Sequence, residues 1–196
     1  MTMPSLAQLA GLSAWLAAVM TVVGMVTLLL FFSRGARWGM ANDASSVVLM
    51  LALIPVALVL AVIEMEVVTT TALVVAAVGI IAMLAVAVLQ ALLVLRRVTY
   101  EQTKSAVLGG TAVVGLWYLL TALVSNGTAV ADGVRVASAA AGVGFVLVGY
   151  GFAVGGERHP AAAIGGLIAF VSSLAVQLYL GSVLLSKNLA VPDWNV

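Results

Sequence analysis

Six long apolar runs separated by short polar breaks take up almost all of this chain, at about residues 9–32, 45–63, 72–95, 105–124, 135–155 and 161–186. Each approaches the roughly 20 residues a helix needs to cross the hydrocarbon core of a bilayer. Hydrophobic residues make up 64% of the chain and charged residues 8%, against roughly 25% charged in a soluble domain. A water-soluble fold of this size lacks the charges to cover its surface. The expected fold class is therefore all-α: a polytopic membrane protein, a single domain over residues 1–196 built as a bundle of six transmembrane helices.

The boundary between the second and third runs is the least distinct. Only Glu64-Met65-Glu66-Val67-Val68-Thr69-Thr70-Thr71 separates them. Two carboxylates are costly in lipid and the combined run is too long for one crossing, so the chain is expected to turn there. The first run has no Lys or Arg before it and continues uncharged to Phe32. That pattern fits a retained helix better than a cleaved signal peptide with its basic leader.

Composition closes off several function classes. Eight Lys and Arg against seven Asp and Glu leave a formal charge of +1, which gives no basic surface for nucleic acid. Without cysteine there are no disulfides, thiolate nucleophiles or zinc-thiolate sites. The single histidine, His159, is too few for a bis-histidine haem or an HExxH metalloprotease. No cofactor or metal site is expected. The span interiors contain no Asp, Glu, His, Lys or Arg, so neither an intramembrane hydrolase nor a charged proton relay is indicated. The reading is non-enzymatic.

Loops one, three and five hold Arg34, Arg37, Arg96, Arg97, Lys104 and Arg158, and the other side holds Arg135 and Lys187. Short cytoplasmic loops are enriched in Lys and Arg, so both termini are expected to be non-cytoplasmic, in a bacterial plasma membrane. Two three-helix halves of opposite topology suggest an inverted repeat. However, Gln90 and Gln177 are 87 residues apart and Trp15 and Trp117 are 102 apart, offsets that do not agree and that chance similarity explains.

Small and hydroxyl residues recur at helical steps: Ser13, Ala17, Met20, Gly24 and Thr27 on the first span, Ser138, Gly142, Gly149 and Gly156 on the fifth. In lipid, such residues let backbones approach, so these faces are expected to be helix contacts. The fourth span carries a polar stripe of Thr111, Tyr118, Thr121 and Ser125, and the sixth carries Gly166, Ser173, Gln177 and Gly181 on one side. An unpaired amide in hydrocarbon costs several kcal/mol, so Gln177 is expected to look inward. Gln177, Ser173, Tyr118 and Thr121 are the candidate ligand-binding residues, for a small neutral or apolar ligand. Pro55, lacking an amide donor, is expected to kink the second span.

Loop one is the richest polar segment. Arg34, Arg37, Trp38, Asn42 and Asp43 form a second candidate set, for recognition of a lipid headgroup or a partner, and Asn42, Asp43 or Ser45 would cap the second span. Asn126-Gly127-Thr128 and Gly155 to Pro160 read as turns, with Pro160 starting the sixth helix and His159 solvated. Two functions remain: transport or binding of a small ligand inside the bundle, and an accessory or structural subunit acting through helix or lipid contacts. The expected partners are the lipid bilayer and further membrane subunits or copies of the chain.

Overall fold

In the computed structural model, which describes residues 5–35, 37–156 and 159–186, the chain is all-helical, with no strand among the described residues. Five helices follow one another: α1 Leu6–Arg34, α2 Arg37–Val94, α3 Tyr100–Val124, α4 Asp132–Gly155 and α5 Pro160–Leu185. All five are long and apolar enough to cross a membrane. Four match expected spans. The fifth, α2, takes in both the second and the third.

That 58-residue helix is not uniform. Val68 has φ −143° and ψ 71°, outside helical space, so α2 is two helices joined at that residue. The expected turn after Glu66 is a single-residue break with no loop. Pro55 lies within helical dihedrals, and Val68 alone departs from them; the expected kink at Pro55 is not a break.

The polar segment expected as loop one is also helix. Gly35, at φ +96°, ends α1 with its amide donating to the Phe31 carbonyl at 3.0 Å, and α2 starts at Arg37. Only glycine adopts that φ without strain, which makes so tight a turn possible. Asn42, Asp43 and Ser45 therefore lie inside α2 and do not cap it, and the Ser45 hydroxyl donates back to the Asn42 carbonyl at 2.8 Å. Helical hydrogen bonding extends past the apolar boundary because polar residues are tolerated in a helix outside the hydrocarbon. Elsewhere local chemistry fixes the helix ends. Ser5 and Gln8 form a capping box on α1. Pro160 starts α5 as expected, but His159, expected to be solvated, is half-buried as its N-cap, with Nδ1 accepting from the Ala161 amide at 3.3 Å. The Asn126–Thr128 turn has Gly127 at φ +82°.

The helices close into a ring in which each described helix contacts two others: α1 with α2 and α5, α3 with α2 and α4, α4 with α5. Glycines place the contacts. A Cβ at Gly142 on α4 would lie 2.5 Å from Leu119 Cγ and 2.6 Å from the Gly115 carbonyl oxygen on α3. Gly149, seven residues on, meets Ala112 of α3. Gly144 and Gly151, also seven apart, meet Ala169 and Ala162 of α5. One helix thus has two glycine seams, one for each neighbour, and small residues permit this close approach in place of hydrophobic drive.

Paired contacts also fix direction. Gly11 meets Leu185 and Thr21 bonds Gln177, so α1 and α5 are antiparallel. Gly79 meets Trp117 and Gly110 meets Val86, so the C-terminal half of α2 is antiparallel to α3. Gly24 meets Ser45 and Gly39 meets Phe31, so the N-terminal half of α2 is antiparallel to α1. Alternation around the ring through α5, α4 and α3 makes the C-terminal half of α2 run the same way as α1. The chain therefore reverses at Val68.

Candidate functional site

The inward faces follow from periodicity. On α1 the buried positions are Ala10, Gly11, Ala14, Ala17, Ala18, Thr21 and Thr27, a stripe at three- and four-residue steps. On α5 Ser173, Val176, Gln177, Leu180, Gly181 and Leu184 are buried. Where these stripes cross, the Thr21 hydroxyl donates to Gln177 Oε1 at 2.9 Å. Gln177, 2% exposed, thus looks inward, as the cost of an unpaired amide in lipid requires.

On α3, Tyr118, Thr121 and Ser125 share one buried face at steps of three and four. Tyr118 packs against Trp117, with ring centroids 4.6 Å apart, and stacks on Phe145 at 5.9 Å. Gly79 admits the Trp117 ring by having no side chain. The Tyr118 hydroxyl approaches the Gln177 amide but falls outside hydrogen-bonding geometry, and both its oxygen and Thr121 Oγ1 are buried without a partner. Ser173 is buried too, but its hydroxyl donates to the Phe170 carbonyl of its own helix at 3.3 Å. The four interior candidates therefore face one side of their helices, and two of them carry unfilled hydrogen-bonding capacity.

Sequence reasoning missed two members of this interior. Thr21 lies off the small-residue face expected for the first span, which runs through Ala17 and Gly24. The stripe Ala10, Ala14, Ala17, Thr21 was the available signal. Glu64 falls with Glu66 in the segment where hydropathy predicts a turn. Glu66 is exposed, but Glu64 is 2% exposed and accepts a hydrogen bond from the Ser125 hydroxyl at 2.6 Å. Glu64 continues the buried stripe Met50, Leu53, Ala57, Leu60 of α2 at the same spacing, which a face-by-face reading detects and a loop reading does not.

The second candidate set does not converge. Arg34 and Arg37 are exposed, and the Arg37 guanidinium lies 6.0 Å from the Trp38 ring centroid. Asn42 and Asp43 are half-buried on the first turns of α2, and the Trp38 indole nitrogen is buried without a partner. Arg158 and Lys187, used for orientation, lie outside the described residues.

Gln177 lines neither of two cavities between the helices. One, of about 340 Å³, lies between α3 and α4 against Leu119, Leu123 and Val136, with Asp132 and Arg135 at its edge. The other, of about 200 Å³, lies between α4 and α5 against Val134, Val176 and Tyr179. Arg135 is committed to the protein: its guanidinium bonds Asp132 at 2.7 Å and the Ala122 carbonyl at 3.3 Å. Among the described residues no three metal-ligating side chains gather. No protein family, curated protein or solved structure matches the chain.

Proposed function

We propose that the chain is a non-enzymatic membrane protein of six crossings that binds, and passes, a small neutral polar solute at Gln177, Thr21, Tyr118 and Thr121, with Ser173 beside them. A straight 58-residue helix would be about 87 Å long, nearly three times the ~30 Å hydrocarbon core. Crossings at about 45–63 and 72–95, with Glu64, Glu66 and the Val68 break between them, answer that length. The distribution of basic residues puts both termini and the Val68 turn on the non-cytoplasmic side.

One observation carries the solute reading. The Tyr118 hydroxyl and Thr121 Oγ1 lie unpartnered in the interior, where an unsatisfied polar group costs about 1–3 kcal/mol. A guest with hydroxyl or amide groups supplies the missing bonds. No formal charge adjoins Gln177 on its helix face, so the guest is neutral. Purified protein in liposomes should then speed stopped-flow swelling in water, glycerol or urea gradients over protein-free vesicles. Gln177→Leu should abolish the gain. Swelling equal to that of empty vesicles for all three solutes overturns the reading.

The accessory-subunit reading has its own support in the glycine seams, which pack α4 against both neighbours, and in the two cavities, neither of which Gln177 lines. A protein that conducts nothing but co-purifies in a fixed ratio with another membrane subunit supports it.

A further inference from the structure

Glu64 stands apart from every other acid in the described chain. It lies on α2, four residues before the break at Val68 and just past the crossing proposed at about 45–63, yet its side chain is 2% exposed and its hydroxyl partner Ser125 is 1% exposed. The 2.6 Å contact between them is in the range of a strong O–H···O bond. No cation answers the carboxylate: the only ion pair among the described residues joins Arg135 to Asp132. Ser125 is also the C-cap of α3, so Glu64 sits at the negative end of that helix dipole, where an anion is disfavoured. Burial pushes its carboxyl up from the ordinary 4.5 to about 7, against the opposing pull of the Ser125 hydroxyl.

We propose that Glu64 is a proton-binding site at the non-cytoplasmic end of the bundle, exchanging a proton with the adjoining aqueous phase. The proton leaves Glu64 Oε2 for water while Oε1 keeps the bond from Ser125, so the step needs no other reactant. An independent feature points from this carboxyl into the membrane. Thr121 Oγ1, 3% exposed and unpartnered, lies one turn inward from Ser125 on the same face of α3, with Tyr118 beyond it. These hydroxyls run about 10 Å from Ser125 to Tyr118, at 1.5 Å per residue. They form a file of hydrogen-bonding groups from Glu64 toward Gln177.

The charged groups at this end of α3 are Arg135, whose guanidinium donates to the Ala122 carbonyl, and Asp132, which pairs with it; no ion pair joins Arg135 to Glu64. On its own helix Glu66 is exposed, and Arg37 and Asp43 lie at the far end of the preceding crossing. On α1 the sole ionisable side chain, Arg34, is at the opposite end. On α3 the remaining groups, Tyr100, Glu101 and Lys104, begin the helix at that opposite end, and Tyr118 lies on the shared face.

The assignment rests on the carboxyl and not on the solute reading, so its test needs no transport. Infrared difference spectra of the protein in lipid vesicles, stepped in pH, should show a protonated-carboxyl C=O band that disappears well above the ordinary carboxylate range of about 4. Carboxyl-labelled glutamate should shift that band, assigning it to Glu. Glu64→Gln should remove it, Glu66→Gln should leave it, and Ser125→Ala should move its frequency by removing the hydrogen bond. If Glu64→Gln fails to fold, the labelled native protein and Ser125→Ala still decide. A Glu band that titrates near 4, or one that Ser125→Ala does not move, overturns the proposal.

Discussion

The interior is held by few polar contacts, and individual substitutions separate what each contributes. Thr21→Val removes the donor to Gln177 Oε1 and leaves a buried acceptor unanswered. Interhelical bonds of this kind contribute on average ~0.6 and at most ~1.7 kcal/mol, so the thermal midpoint in detergent should fall by a few degrees. Thr121→Val deletes a hydroxyl that has no partner and should leave the midpoint unchanged or raise it, while lowering solute flux. Equal losses from the two substitutions would mean that Thr121 has a partner and the file is misdrawn. Glu64 gives a pH dependence with a defined sign. Its carboxyl holds a proton more tightly in the folded protein than in the unfolded chain, about 7 against 4.5. The folded state therefore binds more protons between those values, and stability falls as pH rises through that window. Midpoints measured from pH 4 to pH 8 should decline, and Glu64→Gln should flatten the decline.

At the scale of the helix, α4 is the element whose packing is most constrained, because its two glycine seams face two neighbours at once. Gly142→Leu forces a side chain into a gap where a Cβ alone comes within 2.6 Å of the Gly115 carbonyl oxygen. Overpacking of this sort costs about 1–3 kcal/mol and more when backbone must move, so the variant should lose monodisperse behaviour in size-exclusion chromatography. Gly133→Leu, at a glycine with open space around its Cβ position, should behave like the parent. A Gly142→Leu protein that melts with the parent would place that face against lipid. The break at Val68 shows the reverse limit. Helix propensity and hydropathy both run through Val67-Val68-Thr69 without a breaker, and only the separate partners of the two halves require the backbone to leave helical space there.

For the whole molecule, the absence of cysteine makes orientation across the membrane directly measurable. Single cysteines at Thr70 and Asn126, both exposed, should react with a membrane-impermeant maleimide in intact cells. One at Thr99, exposed at the other end of α3, should react only after permeabilisation. Labelling of Thr99 alone would invert the orientation and put Glu64 on the cytoplasmic side. Labelling of Thr70 and Thr99 together would deny that the second half of α2 crosses the membrane.

Hydropathy alone determined the helical class, the places where α1, α3, α4 and α5 lie, and the inward direction of Gln177, since lipid leaves an unpaired amide or an open backbone no alternative. Local rules likewise set the capping box at Ser5, the start of α5 at Pro160 and the turn at Gly127. The helical course of residues 37 to 45 was not legible, because the signal of capping residues at Asn42, Asp43 and Ser45 is the same whether a helix starts there or passes through. Nor was the burial of Glu64, which sits at a charge-marked boundary but on the buried stripe of its helix. The pairing of Thr21 with Gln177, 156 residues apart, and of Glu64 with Ser125 was decided only when the ring closed. Which helix faces meet depends on the glycine seams of several helices together, and no single helix carries that information.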